Sequence, residues 1–204
     1  MTHNYFDHAT VLRARIAAAA ARMIAQEGLD YQSAKQKAAR QISGAHQRSA
    51  DVLPDNSAIE NELRLYNELF LSSTQPARLF KLRTLALQLM QELTQFQPFL
   101  TGAVLNGTAG MQAEICLHLF AASAKEVQWF LLNKNIVFDL SETPHFKGPR
   151  HAPVETVSFL WHGEGVHAVL YEHDDVRGAL KLKADGKVLR ADASVLRALL
   201  DASR

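Results

Sequence analysis

The chain has little cysteine, no long apolar run and almost no net charge, and each shortage excludes a class of protein. Its single cysteine, Cys116, excludes an internal disulfide and suits a reducing compartment. No apolar run approaches the roughly 20 residues that cross a bilayer. The first residues lack the basic start and apolar segment of a secretory signal. We therefore expect a cytoplasmic protein that does not enter the membrane.

Charge and motif content narrow the possible functions further. A formal net charge of +1 gives no overall attraction for nucleic acid, so such binding would need a local basic patch. Neither a Gly-x-Ser-x-Gly elbow nor a Cys-x-x-Cys pair occurs in the sequence. What remains is an ordinary globular composition, with 48% hydrophobic and 21% charged residues over 204 positions. This length suits one domain, or a helical unit beside a small α/β unit.

The first half of the chain shows helical periodicity. Apolar residues recur at helical spacing over 10–26 and 30–43. Ser57 and Glu60 have the spacing of a capping box and predict the start of a third helix. A fourth helix follows the polar break at 72–76. The sequence thus predicts a helical region over 1–97.

Beyond Pro98 the apolar period changes from that of helices to that of strands. The pattern predicts strands over 99–105, 114–120, 136–140, 154–161 and 166–172, with a hairpin turn at 162–165 and helices over 123–133 and 194–202. The predicted fold class is therefore α+β, with the N-terminal helical region followed by a small mixed β-sheet over 98–204.

A short polar loop between two of these strands contains three glycines, Gly102, Gly107 and Gly110. Glycine lets backbone N–H groups approach an anion closely and tolerates positive φ. The loop is therefore a candidate phosphate cradle. The alternative is a tight turn that has only a structural role.

The strand that follows this loop places three polar side chains on one face, since strand side chains alternate. They are Glu114, Cys116 and His118. Together with His167 they include residue types that bind zinc. Side chains two residues apart on a strand lie about 6.5–7 Å apart, however, which is wide for one zinc ion. A half-buried cysteine beside a pocket is the simpler alternative.

Taken together, the loop and the strand resemble the signature of minimal, antitoxin-like nucleotidyltransferases. That signature runs Gly-Ser, then Gly-Thr-Ala, then Ser-Asp-Ile-Asp-Leu; the corresponding residues here are Gly102-Ala103, Gly107-Thr108-Ala109 and Ala113-Glu114-Ile115-Cys116-Leu117. The resemblance implies that a nucleotide is bound at Gly102, Ala103, Gly107, Thr108 and Gly110. It also implies catalytic carboxylate positions at Glu114, at Cys116 and, on a neighbouring strand, at His167.

The resemblance further implies Mg²⁺ as the cofactor of an active enzyme, with Glu114 as a metal ligand. Mg²⁺ prefers oxygen ligands, whereas Cys116 and His167 offer sulfur and nitrogen. We therefore expect an α+β, nucleotidyltransferase-like protein with impaired catalysis that binds a nucleotide, RNA or a protein partner. Two alternatives remain. One is an active enzyme with reassigned ligands, in which Glu114 and acidic residues such as Glu155, Glu172 or Asp174 complete the site, and the other is an antitoxin-like interaction module.

The chain also resembles a family of small proteobacterial proteins with this layout, some of which carry the name UDP-N-acetylmuramate–alanine ligase. Such a ligase needs a Gly-x-x-Gly-Lys-Ser/Thr phosphate loop, and the sequence contains none.

One basic cluster is a candidate contact for RNA. Lys35, Lys37 and Arg40 lie on the predicted second helix and could touch phosphates. The alternative is an ordinary solvated helix face.

Overall fold

The structure is a computed structural model, and it describes residues 3–43, 52–179 and 189–203. The chain forms two compact units. The first comprises Met1–Pro76 with Gly110–Gln112, and the second comprises Ala77–Ala109 with Ala113–Arg204. The predicted boundary at 97/98 follows the change from helix to strand, whereas the compact units divide 21 residues earlier, between Pro76 and Ala77.

Within its described residues, the first unit contains three complete α-helices. They are α1 (His3–Glu27), α2 (Tyr31–Ser43) and α3 (Asn56–Phe70). Their core combines alanines with larger apolar residues, namely Leu12, Ile16, Ala17, Ala20, Ala21, Met23, Ala34, Ala38, Ile59 and Leu63. The small alanine side chains permit close helix packing, as the alanine-rich sequence of α1 suggests.

The start of α3 differs from the predicted capping box. Asp55 is the N-cap, and its carboxylate Oδ1 accepts a hydrogen bond of 2.7 Å from the Ala58 backbone N–H. Ser57 and Glu60 lie inside the helix, so the capping-box prediction was wrong. Asp is as good an N-cap as Ser, and Asp55 stands two residues earlier in the sequence.

The second unit contains a five-stranded mixed sheet with helices. The strands are β1 (Phe99–Thr101), β2 (Ile115–Ala121), β3 (Phe138–Thr143), β4 (Val154–Trp161) and β5 (Glu164–Glu172), in the spatial order β1-β2-β5-β4-β3. Among the described residues, its α-helices are α4 (Gln75–Glu92, which belongs to this unit from Ala77 onward), α5 (Gly102–Asn106), α6 (Ala124–Asn133), α7 (Val176–Ala179) and α8 (Ala193–Asp201). Strands β2 and β5 are parallel, and the other neighbours are antiparallel. The predicted α+β class is confirmed.

One face of the sheet forms the main core of this unit. Ile115, Leu117 and Leu119 of β2 are buried in a cluster with residues of α4, α6 and α8, namely Leu82, Ala86, Leu89, Met90, Val127, Leu131 and Leu196. Because strand side chains alternate, Cys116, His118 and Phe120 point to the opposite face. Cys116 and His118 are only half-buried. The opposite face therefore carries the polar residues that the sequence singles out.

The predicted strand over 99–105 ends early. β1 stops at Thr101 and the chain enters α5, because Gly102 has φ +68° and turns the backbone out of the extended conformation. Arg83 stabilises the short helix from α4: its Nε donates to the Val104 carbonyl at 3.0 Å and its Nη2 to the Leu105 carbonyl at 3.1 Å.

In the described ranges, no helix has the length and apolar content to span a membrane.

Candidate functional site

A row of polar side chains crosses the sheet on the face opposite the main core. Thr101, Cys116, His167, Ser158 and Asp139 stand directly opposite one another on β1, β2, β5, β4 and β3. Each pair of Cα partners presents its side chains on the same face, so the register alone brings these five groups into one line.

Glu114, immediately before β2, joins this row through His167. Its Oε2 lies 2.5 Å from His167 Nε2, and Ser158 Oγ lies 2.7 Å from His167 Nδ1. Glu114 and His167 remain accessible to solvent, with side-chain exposures of 50% and 42%. The three side chains form one continuous hydrogen-bonded chain at the surface.

Space for the Glu114 carboxylate is provided by Gly165. A Cβ atom at position 165 would come within 2.3 Å of Glu114 Oε1, well inside van der Waals contact. Any larger residue at 165 would have to displace the carboxylate. The glycine on β5 thus allows the contact between Glu114 and His167.

Cys116 lies beside His167 but has different chemistry from the carboxylate expected of an active nucleotidyltransferase. Burial, and secondarily the charge of Glu114, raise the pKa of the Cys116 thiol to about 11. At neutral pH it is therefore a neutral thiol, which is a poor ligand for Mg²⁺ and a weak nucleophile.

His118 is two residues further along the same face and is also neutral at physiological pH. Burial, and secondarily the charge of Arg190, lower the pKa of His118 to about 3. Its Nδ1 accepts a hydrogen bond of 2.9 Å from Arg190 Nε. One ring nitrogen is therefore engaged with a cation rather than directed at a metal ion.

An open cavity of about 530 Å³ lies against Glu114, Ser158 and His167. Its lining is otherwise mainly apolar and includes Ile136, Val137, Phe138, Phe159, Leu160 and Val166, with Asn135, Asp139 and Gly165 completing it. Glu114 and Asp139 supply carboxylates, and the lining includes no Lys or Arg of the described residues. Its size is within the range of small-molecule sites.

The glycine loop is a tightly bonded turn. The backbone N–H groups of Gly107, Thr108 and Ala109 all donate to the Ala103 carbonyl, at 3.0–3.1 Å. Thr108 N–H also donates to Asn106 Oδ1 at 3.0 Å. Gly107 has φ +85°, which explains the glycine by conformation alone. Gly102 lies beside Cys116, since a Cβ atom there would be 3.8 Å from Cys116 Sγ.

The metal hypotheses are not supported by side-chain placement. Within the described ranges, no group of three or more His, Cys, Asp and Glu residues is placed to hold a metal ion. Glu172, one of the alternative carboxylates, lies five residues beyond His167 on β5. At about 3.3 Å per residue, this separation is about 16 Å. Glu172 therefore does not complete a site with Glu114.

The basic cluster on α2 is divided around the helix. Successive residues rotate by about 100°, so Lys37 and Arg40 lie about 60° apart, while Lys35 lies about 160° from Lys37. Lys37 Nζ also pairs with Glu27 Oε2 at 2.5 Å. The three cations therefore do not form a single patch for a phosphate backbone.

Ser158 and Asp139 are the functional candidates that sequence reasoning missed. The signal was the hairpin turn: His162 and Gly163 have φ of +50° and +79°, the conformation of a two-residue turn with both central residues at positive φ. A two-residue turn at His162–Gly163 pairs Trp161 with Glu164, and counting back along both strands pairs Ser158 with His167. The sequence predicted a four-residue turn over 162–165, which pairs Trp161 with Val166 and therefore does not place Ser158 opposite His167.

The chain was compared with protein-family models, with curated proteins and with solved structures, and none of them matches it.

Proposed function

We propose that the protein is a nucleotidyltransferase-like protein with impaired metal-dependent transfer, and that it acts by binding a ligand beside Glu114 and His167. The observation that carries the proposal is the pairing of Cys116 on β2 with His167 on β5, with Glu114 hydrogen-bonded to His167. The three positions implied by the resemblance are thus adjacent on neighbouring strands. The family is inferred from the sequence resemblance, and the strand pairing supports it by placing Glu114, Cys116 and His167 close together.

The chemistry at these positions argues against nucleotidyl transfer. That reaction depends on metal ions that neutralise the triphosphate and align the attacking hydroxyl. Cys116 carries no charge at neutral pH, and both ring nitrogens of His167 are occupied by Glu114 and Ser158. One carboxylate, Glu114, remains of the three expected, and it is bound to His167.

The ligand that best fits the cavity is a nucleoside or a related neutral molecule. The aromatic residues Phe138 and Phe159 and the aliphatic Val137 and Leu160 offer apolar contact, while Glu114 and Asp139 can accept hydrogen bonds from sugar hydroxyls. The two carboxylates oppose a triphosphate in the absence of metal. The N–H groups of the glycine turn, already bonded to the Ala103 carbonyl, add little affinity for phosphate.

A protein partner is the second candidate, favoured by the exposed apolar rim of the cavity. Val137 is 88% exposed and Leu160 is 71% exposed. Large apolar side chains this accessible and this close together are typical of interaction sites. If the cavity binds only a protein partner, no nucleoside should raise the melting temperature of the protein. If the cavity binds a nucleoside, that nucleoside should raise it.

The impaired-transfer proposal is tested by restoring the missing carboxylates. We expect the parent protein to transfer no label when it is incubated with each labelled nucleoside triphosphate in the presence of Mg²⁺ or Mn²⁺. The double variant Cys116→Asp with His167→Asp places three carboxylates together, so we expect Mg²⁺ to raise its melting temperature, because the ion binds the folded state only.

The matched control is Cys116→Asn with His167→Asn, which has side chains of the same shape without charge and should not respond to Mg²⁺. Label transfer by the parent that disappears in Glu114→Gln would contradict impairment. A folded aspartate variant that is indifferent to Mg²⁺ would contradict the nucleotidyltransferase-like arrangement itself.

A further inference from the structure

The chain Ser158–His167–Glu114 has an order of functional groups that recurs in enzymes with a nucleophilic serine: a hydroxyl, an imidazole and a carboxylate. The distances of 2.7 Å and 2.5 Å are both within hydrogen-bonding reach. This arrangement uses none of the carboxylate-to-metal chemistry of nucleotidyl transfer. It therefore stands independently of the function proposed above.

The proton positions follow from what each group can donate. A carboxylate only accepts hydrogen bonds, so His167 Nε2 carries the hydrogen shared with Glu114. In the neutral imidazole, Nδ1 is then the acceptor, and the Ser158 hydroxyl donates to it. The ring is thereby held in the tautomer that can take the serine proton, and Glu114 stabilises the imidazolium that forms.

The surrounding structure holds this geometry in place. Ser158 and His167 are Cα partners in the β4–β5 ladder, so the backbone sets their separation. Gly165 leaves room for Glu114, which approaches His167 from the other side. The chain of three groups thus depends on two strand pairings and one glycine.

The cavity indicates the class of substrate. Its apolar lining, including Val137, Phe159 and Leu160, suits an acyl chain or aromatic group. Its carboxylates, on Glu114 and Asp139, disfavour anionic substrates. We propose that Ser158 is a nucleophile activated by His167, and that the site acts on neutral carboxylic esters with a small apolar acyl group.

The reaction balances without metal or redox chemistry. Ser158 Oγ forms a bond to the acyl carbon while its proton passes to His167 Nδ1. The ester C–O bond breaks, and the leaving alkoxide takes that proton and departs as the alcohol. Water then attacks the acyl–Ser158 ester and gives a proton to His167, which returns it to Ser158 Oγ as the carboxylic acid leaves.

Turnover should be slow, because Ser158 lies in the middle of β4. This strand pairs with β3 on one side and β5 on the other, so its backbone N–H groups are used within the sheet rather than directed at an oxyanion. Covalent labelling of Ser158 is therefore a more sensitive measurement than ester hydrolysis.

The experiment uses the full chain and an alkyl fluorophosphonate probe, which phosphonylates activated serines with loss of fluoride. We expect peptide mapping to locate the label on Ser158, and Ser158→Ala to reduce labelling to background. His167→Ala should slow labelling about 100-fold, since a general base contributes at least about this factor. Glu114→Gln should slow it less, and p-nitrophenyl butyrate hydrolysis should follow the same order.

Ser141→Ala is the matched control. Ser141 lies on β3, on the same face of the sheet as Ser158, but its Cα partner on β4 is Thr156, and it does not pair with His167. Its labelling rate should equal that of the parent. Melting temperatures confirm that each variant is folded, and His167→Asn provides a second, more conservative removal of the base. Equal labelling of the parent and Ser158→Ala, a label on Cys116 instead, or an unlabelled folded parent would each overturn the proposal. None of these results bears on Mg²⁺ binding by the aspartate variant, so the two proposals fail separately.

Discussion

At the scale of single residues, burial and neighbouring charge decide which side chains are ionised near the site. Cys116 and His118 are both neutral at pH 7, because burial opposes the thiolate and the imidazolium. Glu164, at the first position of β5, shows the opposite effect. Hydrogen bonds from Arg78 and then Lys81 of α4 lower the pKa of Glu164 to about 2. Its carboxylate therefore stays ionised although the residue is buried.

Glu164 is expected to stabilise the fold in a pH-dependent way. Its Oε1 accepts from Arg78 Nη1 at 2.6 Å and from Lys81 Nζ at 2.7 Å, and Arg78 Nη2 also donates to the Ala113 carbonyl at 3.2 Å. Because the folded pKa lies below the unfolded one, the stabilisation is complete above about pH 4.5 and is lost as the pH falls toward 2. Glu164→Gln should therefore cost on the order of 2 kcal/mol at pH 7.

The measurement is urea unfolding of Glu164→Gln and the parent between pH 7 and pH 2.5. The difference in unfolding free energy between the two proteins should shrink as the pH falls. Glu92→Gln is a suitable control, since Glu92 forms an ion pair with Lys134 in which both side chains are about half exposed. A constant difference across this pH range would show that the carboxylate charge of Glu164 has no stabilising role.

At the scale of elements, the glycine turn illustrates how one pattern supports two interpretations. Glycines in a polar loop are typical of phosphate cradles and of tight turns alike. In the structure, the Ala103 carbonyl accepts hydrogen bonds from three backbone N–H groups of the turn, and Arg83 donates to the carbonyls of Val104 and Leu105. These hydrogen bonds favour a structural role for the turn between α5 and β2.

Two glycine substitutions in this loop separate conformation from ligand approach. Gly107 has φ +85°, so Gly107→Ala should destabilise the protein by about 1–2 kcal/mol through backbone strain. Gly110 has no positive φ, and nothing lies within 4 Å of a Cβ atom built there. Gly110→Ala should therefore change the stability by no more than about 0.5 kcal/mol.

Chemical denaturation of both variants measures these differences. If Gly107→Ala were as stable as the parent but failed to respond to a nucleoside that stabilises the parent, the turn would be part of the ligand site. If Gly107→Ala loses stability and Gly110→Ala does not, the result supports a purely structural role for the turn.

At the scale of the whole molecule, α4 belongs to the unit that contains the sheet. Its residues Leu82, Leu89 and Met90 are buried against the sheet core. Each such side chain contributes about 1.5–3 kcal/mol on burial, and together they are comparable to the net stability of a typical domain, about 5–15 kcal/mol. The sheet unit should therefore require α4 in order to fold.

Two fragments test this division. A fragment of residues 77–204 retains α4 from Ala77 onward, including Arg78 and Arg83, and should unfold in a cooperative transition. A fragment of residues 98–204, which begins at the change of apolar period, lacks these contacts and should give no cooperative transition. Circular dichroism during heating distinguishes them, and cooperative unfolding of the shorter fragment would place the boundary at 97/98 after all.

The sequence by itself determined the α+β class and the order of the longer helices and of the strands, but not the short helices α5 and α7. Helix α1, strand β2 and helix α8 each have an apolar periodicity that is local and can be read without knowing the neighbours. The exceptions are also local in origin. The backbone leaves β1 at Gly102, and Asp55 rather than Ser57 caps α3.

Only the tertiary structure decided which side chains meet. The sequence placed Glu114, Cys116 and His118 on one face, but the partner of Glu114 depends on β5 lying parallel beside β2, with β4 on its far side. Strand order and register arise from hydrogen bonds and burial between segments distant in sequence, such as 114 and 167, which no local pattern encodes. The pKa values of Cys116 and His118 are likewise set by burial within the folded unit, since desolvation depends on everything packed around a group.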